Sequence, residues 1–99
     1  MIKAGVNVTG IKPEIVLAVI MAQAIYARHG AGLVITSALD GKHSRGSLHY
    51  SGNAIDLRTR HVSRDDAETI ADELRAALGA QYDVVLEKDH IHVEFQPKA

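Results

Sequence analysis

His49 and Asp56 stand seven positions apart, with the dipeptide Gly52-Asn53 midway between them. Both residues of that dipeptide tolerate positive φ, which suits a two-residue hairpin loop. Folding the chain about it pairs Ser51 with Ala54, Tyr50 with Ile55 and His49 with Asp56. Residues opposed in this way hold their Cβ atoms about 4.5 to 5.5 Å apart on one face, near enough for an imidazole and a carboxylate to share one zinc ion at about 2.0 to 2.2 Å. A third ligand must come from elsewhere, and Asp89-His90-Ile91-His92 offers two imidazoles on one face of a strand. Two histidines, a carboxylate and an open fourth position are the pattern of a catalytic zinc site, whereas structural sites close with four protein ligands. The chain has no cysteine, so histidine and carboxylate must do any metal work.

The segment Ser47-Leu48-His49-Tyr50-Ser51-Gly52-Asn53-Ala54-Ile55-Asp56 resembles the Ser-x-His-x-x-Gly-x-Ala-x-Asp motif of the zinc D-Ala-D-Ala carboxypeptidase family, which includes D-Ala-D-Ala dipeptidases and phage L-alanyl-D-glutamate endolysins. Asp89-His90-Ile91-His92 is similar to that family's second motif, in which an acidic residue precedes the last zinc-binding histidine by three positions. The resemblance covers roughly residues 33 to 95. It implies that His49, Asp56 and His92 bind Zn2+, that Asp89 is the general base and that His90 assists at the developing oxyanion. A second frame stays open, in which Glu87 is the base and His90 the ligand, as in the dipeptidase branch. The His-Val-Glu-Phe run from His92 to Phe95 favours the first frame, since it resembles the small phage-like members.

The reaction so implied is hydrolysis of an amide bond in the peptide stem or cross-link of bacterial peptidoglycan. Zinc would bring its bound water to a pKa near 7, and the carboxylate would take the water's proton and pass it to the leaving amine. The chain departs from the family at Ser37-Ala38-Leu39-Asp40, which lacks the arginine that usually grips the substrate carboxylate. Arg45 and Ser47 are then the substrate-binding candidates, Ser47 as an orienting hydrogen-bonding group; Lys42, His43 and Arg58 are weaker candidates for the role of the missing arginine. That departure also motivates the alternative, a non-catalytic zinc-binding or virion structural module. The blander readings are an ion pair between His49 and Asp56 and a solvated His-x-His strand face. His29, His43 and His61 read as surface or hydrogen-bonded histidines outside the metal set.

The elements that must position these groups are legible from periodicity. Pro13 suits a first helical turn, the run from Ile15 to Ala27 is of helix length and Gly30 is a stop, giving a helix over about 13–29. That helix is apolar on nearly every side, which calls for deep burial or for a second copy of the chain covering one face. Leu33-Val34-Ile35-Thr36-Ser37 reads as a central strand. Ser63 is a good N-cap, Asp65 and Asp66 suit the positive end of a helix dipole, and Ala67, Ile70, Ala71, Leu74 and Leu78 recur at helical spacing up to Gly79, so a second helix spans about 64–78. Strands follow over 82–87 and 90–95, and in the second Ile91, Val93 and Phe95 alternate with His90, His92 and Glu94. The expected fold is α+β: a small, mainly antiparallel sheet with helices packed on one face and the zinc site on the other, residues 1–99 forming one domain.

Composition bears on partners. A formal net charge of -1 gives no field for nucleic acid, and only five residues follow Glu94, too few to complete the His-Asn-His nuclease motif that Asp89-His90-Ile91 superficially opens. The longest apolar stretch, residues 15 to 22, is far short of the roughly 20 residues a membrane span needs. The first residues lack the pattern of a signal peptide. The expectation is therefore a lysis-type carboxypeptidase or endopeptidase made in the cytoplasm, acting on cell-wall peptidoglycan and delivered by phage or released by lysis, without nucleic-acid binding or membrane insertion.

Overall fold

The structure is a computed structural model of the chain, and it describes residues 2–6, 10–38 and 54–96. Helix α1 spans Pro13–Arg28, strand β1 Ile35–Ser37, β2 Ala54–Arg58, helix α2 Arg64–Leu78, β3 Tyr82–Leu86 and β4 His90–Phe95. Among the described residues the strands form a four-stranded antiparallel sheet in the order β1-β2-β4-β3. The first arm of the expected hairpin, with Arg45, Ser47, His49 and the Gly52-Asn53 turn, lies outside the described residues.

The helix ends form where capping chemistry directs. Pro13 occupies the first turn of α1, with Glu14 beside it at the positive end of the dipole and Arg28 in the last turn. The Ser63 hydroxyl accepts the Asp66 N–H at 3.0 Å and so satisfies one of the orphan donors of α2. Gly79, at φ 84°, closes that helix with its N–H on the Arg75 carbonyl, a conformation that a side chain would strain.

The core lies between the helices and one face of the sheet. Ile15, Ala18, Ala22 and Tyr26 on α1 and Ile70 and Leu74 on α2 are fully buried against Ile55 and Leu57 of β2 and Ile91 and Val93 of β4. Burial is thus confined to one side of α1. Val16, Leu17 and Ile20, on its other side, stay 43%, 48% and 58% exposed.

One expected placement is corrected. The strand at 33–37 is shorter than its apolar run, spanning residues 35–37, and sits at the sheet edge instead of its centre. Leu33 is nonetheless buried, because the approach to the strand also packs on the core. The outer side of β1 meets the N-terminal segment: Ile2 forms a parallel bridge with Ile35, and the Lys3 N–H donates to the Ile35 carbonyl at 2.9 Å. At the opposite edge, Arg75 Nε donates to the Val84 carbonyl of β3 at 2.9 Å.

Candidate functional site

Strands β2 and β4 pair with Asp56 opposite His92 and Arg58 opposite His90. Because side chains alternate along a strand, Asp56 and Arg58 share one face with His90, His92 and Glu94, while Leu57, Ile91 and Val93 point into the core. The result is a polar sheet face backed by a greasy one.

On that face the His92 Nδ1–H donates to Asp56 Oδ1 at 2.8 Å, and His92 Nε2 lies 2.5 Å from Glu94 Oε1. Glu94 in turn accepts from the Gln96 side-chain amide. With a carboxylate at each ring nitrogen the imidazole holds both protons. The Asp56 hydrogen bond is the largest cause of a pKa pushed up to about 9, opposed by burial and reinforced by Glu94. His90 Nε2 lies 3.8 Å from the same Asp56 oxygen, and its Nδ1 is 2.8 Å from Asp89 Oδ1. That hydrogen bond from His90 holds the Asp89 carboxyl below the usual carboxylate range, and Arg60 adds to the effect.

Beside this cluster, toward β1, opens a cavity of about 350 Å³. Among the described residues its walls carry the cationic side chains of Lys3, Arg58 and Arg60 and the carboxylates of Asp56 and Asp89, together with Thr36, Ser37 and His90. Arg58 is held at both backbone groups: its N–H donates to the Val34 carbonyl at 2.9 Å, and its carbonyl accepts from the Tyr26 hydroxyl at 2.8 Å.

Of the residues singled out in the sequence, Asp56, Asp89, His90 and His92 are therefore brought together. Arg45, Ser47 and His49 lie outside the described residues, as do Lys42 and His43. Among the described residues no group of three or more histidine, cysteine, aspartate or glutamate side chains is gathered so as to hold a metal ion. His29 and His61 sit away from the face: His29 Nε2 is 2.8 Å from Glu73 Oε1, and His61 Nε2–H donates to the Gly32 carbonyl at 2.7 Å while its ring stacks on Tyr26. Glu94 was missed. Its signal was the His90, His92, Glu94 alternation itself, which places the glutamate two residues along the same face.

Fold and site define a small α+β domain whose sheet is packed by helices on one side and carries a histidine- and carboxylate-bearing surface on the other. The chain belongs to the family of the Hedgehog amino-terminal signalling domain, whose family model matches residues 15–95. No curated protein matches the chain.

This membership overturns the resemblance to the zinc D-Ala-D-Ala carboxypeptidases and what followed from it: the metallopeptidase activity, peptidoglycan as partner and substrate, the endolysin and phage setting, and a place of action at the bacterial cell wall. The physical reason lies in what the motifs encode. His-x6-Asp and Asp-x-x-His specify side chains able to gather about a metal, and the same donors serve a domain that only holds or binds as well as one that turns over substrate. The arginine absent from Ser37-Ala38-Leu39-Asp40 was the sequence signal against turnover.

Proposed function

We propose that the chain is a non-catalytic signalling module that engages a protein partner through the polar face of its sheet, with a zinc ion held in that face by His49, Asp56 and His92. The observation that carries the reading is the pairing of Asp56 with His92 at 2.8 Å across β2 and β4, on the face turned away from the helices. Two imidazoles and a carboxylate are a donor set zinc accepts while keeping a position open. The fit has one condition: His92 must surrender a ring proton, since a metal and a proton compete for the same nitrogen. Bound zinc would supply fixed positive charge and cross-link β2 and β4 to the segment that carries His49. In this reading Asp89 and His90 are polar contacts beside the ion, and Arg45 and Ser47 are candidates for contact with the partner instead of a peptide substrate. Domain membership in a signalling family supports a binding role, since recognition needs a shaped and charged surface and no leaving group.

Two measurements test it together. Calorimetric titration with Zn2+ should give one ion per chain, with affinity lowered about 100-fold or more in His92→Ala, in line with loss of a direct ligand. A photo-crosslinking residue in place of Val85, which is 44% exposed and opposite His92, should capture a discrete partner in cells producing the chain, whereas one in place of Ile20 on α1 should not. Absence of stoichiometric zinc sinks the metal assignment, and capture from Ile20 alone sinks the docking face.

A further inference from the structure

We infer that the cavity between β1 and the Asp56–His92 pair is an oxyanion site, and that in a partner it receives a carboxylate from an acidic peptide. The inference rests on the reading of the polar face as a docking surface and gives that surface its ligand chemistry. Among the described residues three cations, Lys3, Arg58 and Arg60, line a space of about 350 Å³. The two carboxylates on its wall are already engaged by imidazoles, Asp56 by His92 at 2.8 Å and Asp89 by His90 at 2.8 Å. Among the described residues none of the three cations has a carboxylate within ion-pair distance. Arg60 already acts on Asp89 from a distance, so the charge left most fully for a ligand is that of Lys3 and Arg58.

Arg58 gives the site its specificity. Its Nε is buried and has no hydrogen-bond partner. A buried donor without an acceptor is rare in a folded chain, and a turn of the side chain toward an anion in the cavity would give it the missing acceptor. A guanidinium presents parallel N–H donors that match the two oxygens of a carboxylate, so a planar anion is favoured over a spherical one. The site is also held in place before any ligand arrives. Arg58 is fixed through both backbone groups, and Lys3 through its N–H to the Ile35 carbonyl. With a formal net charge of only -1, the chain has no long-range field for anions, so the grip must be local.

The test is an NMR titration of the isotope-labelled protein with N-acetyl-glutamate and, separately, with inorganic phosphate, with and without Zn2+. The expected result is saturable shifts centred on the amides of Lys3, Arg58 and Arg60, with N-acetyl-glutamate bound more tightly than phosphate. Arg58→Gln should weaken that binding about ten-fold and leave zinc uptake unchanged. Arg60→Gln, at an exposed position, should weaken it several-fold without a folding penalty, which keeps the test valid if Arg58→Gln does not fold. Lys12→Gln, at a residue outside the cavity lining, should change nothing. Unsaturated shifts up to about 50 mM ligand, or equal binding by Arg60→Gln, overturn the site; tighter binding of phosphate overturns the carboxylate assignment. Normal zinc uptake with no anion binding would leave the metal reading standing while this one falls.

Discussion

Asp56 and His92 face each other across the β2–β4 pair at 2.8 Å, in direct register, and neither is the nearest neighbour of the other in sequence by 36 positions. Their contact depends on the sheet forming in one register. A slip of β2 by one residue would send Asp56 into the core and turn Leu57 outward, away from His92. The buried apolar face thus fixes the polar one.

The stability of the metal-free protein should fall as pH rises. His92 has a folded pKa of about 9 against an unfolded value of 6.5. Its stabilising contribution is therefore fully present below about pH 6.5 and lost as pH climbs through 9. With the side chain 22% exposed, the loss should be on the order of 2 kcal/mol. Urea unfolding in the presence of a chelator, from pH 6 to 9.5, measures it, and His92→Gln should flatten the slope. Tyr26, whose hydroxyl burial pushes its pKa well above 10, does not titrate in that window in the folded state.

Asp56→Asn should lower the His92 pKa, because the first and largest cause of its elevation is removed while Glu94 remains. At neutral pH it should cost about 1 to 3 kcal/mol, the range for stripping one partner from a buried charged hydrogen bond. Titration of the His92 ring resonances gives the pKa, and denaturant unfolding gives the cost. An unmoved His92 resonance would mean that the short contact carries no charge.

Tyr26→Phe should destabilise the chain by about 1 to 2 kcal/mol, since it leaves the Arg58 carbonyl without the hydroxyl that satisfies it. The ring packing on His61 is retained in the variant, which separates the hydrogen bond from the apolar contribution. A change below about 0.3 kcal/mol would show that water replaces the hydroxyl.

Ser63→Ala should cost about 1 kcal/mol through loss of the cap on the Asp66 N–H, whereas Ser63→Asp should be nearly neutral. Thermal unfolding of the two variants side by side reads the difference.

What the sequence disclosed, and what it withheld, follows from the range of the forces involved. Both ends of α2 were legible because Ser63 and Gly79 act on backbone groups a few residues away. The β4 face was legible because alternation is a local property of Ile91, Val93 and Phe95. The edge position of β1 was not, since it is set by which strand pairs with Leu57 and by the N-terminal segment reaching Ile35. Periodicity is blind to such distant pairings. The exposed stripe of Val16, Leu17 and Ile20 was equally hidden, because a helix apolar all round gives no hint of which side the sheet will take. At the site, alternation along β2 and β4 places Asp56, His90 and His92 on one face, but residue types on a face carry no information about turnover. The family match supplied what His49, Asp56 and His92 could not.

The two sheet edges bear on how another chain can approach. Ile2 and Lys3 occupy the outer side of β1 at Ile35, and the Arg75 guanidinium occupies the Val84 carbonyl on β3. An incoming peptide that tried to extend the sheet would find a backbone carbonyl on each flank, Ile35 on β1 and Val84 on β3, already taken. Recognition by strand addition is thereby discouraged, as is the stacking of copies edge to edge into fibres, and a visitor is directed to the flat side of the sheet, where side chains do the reading.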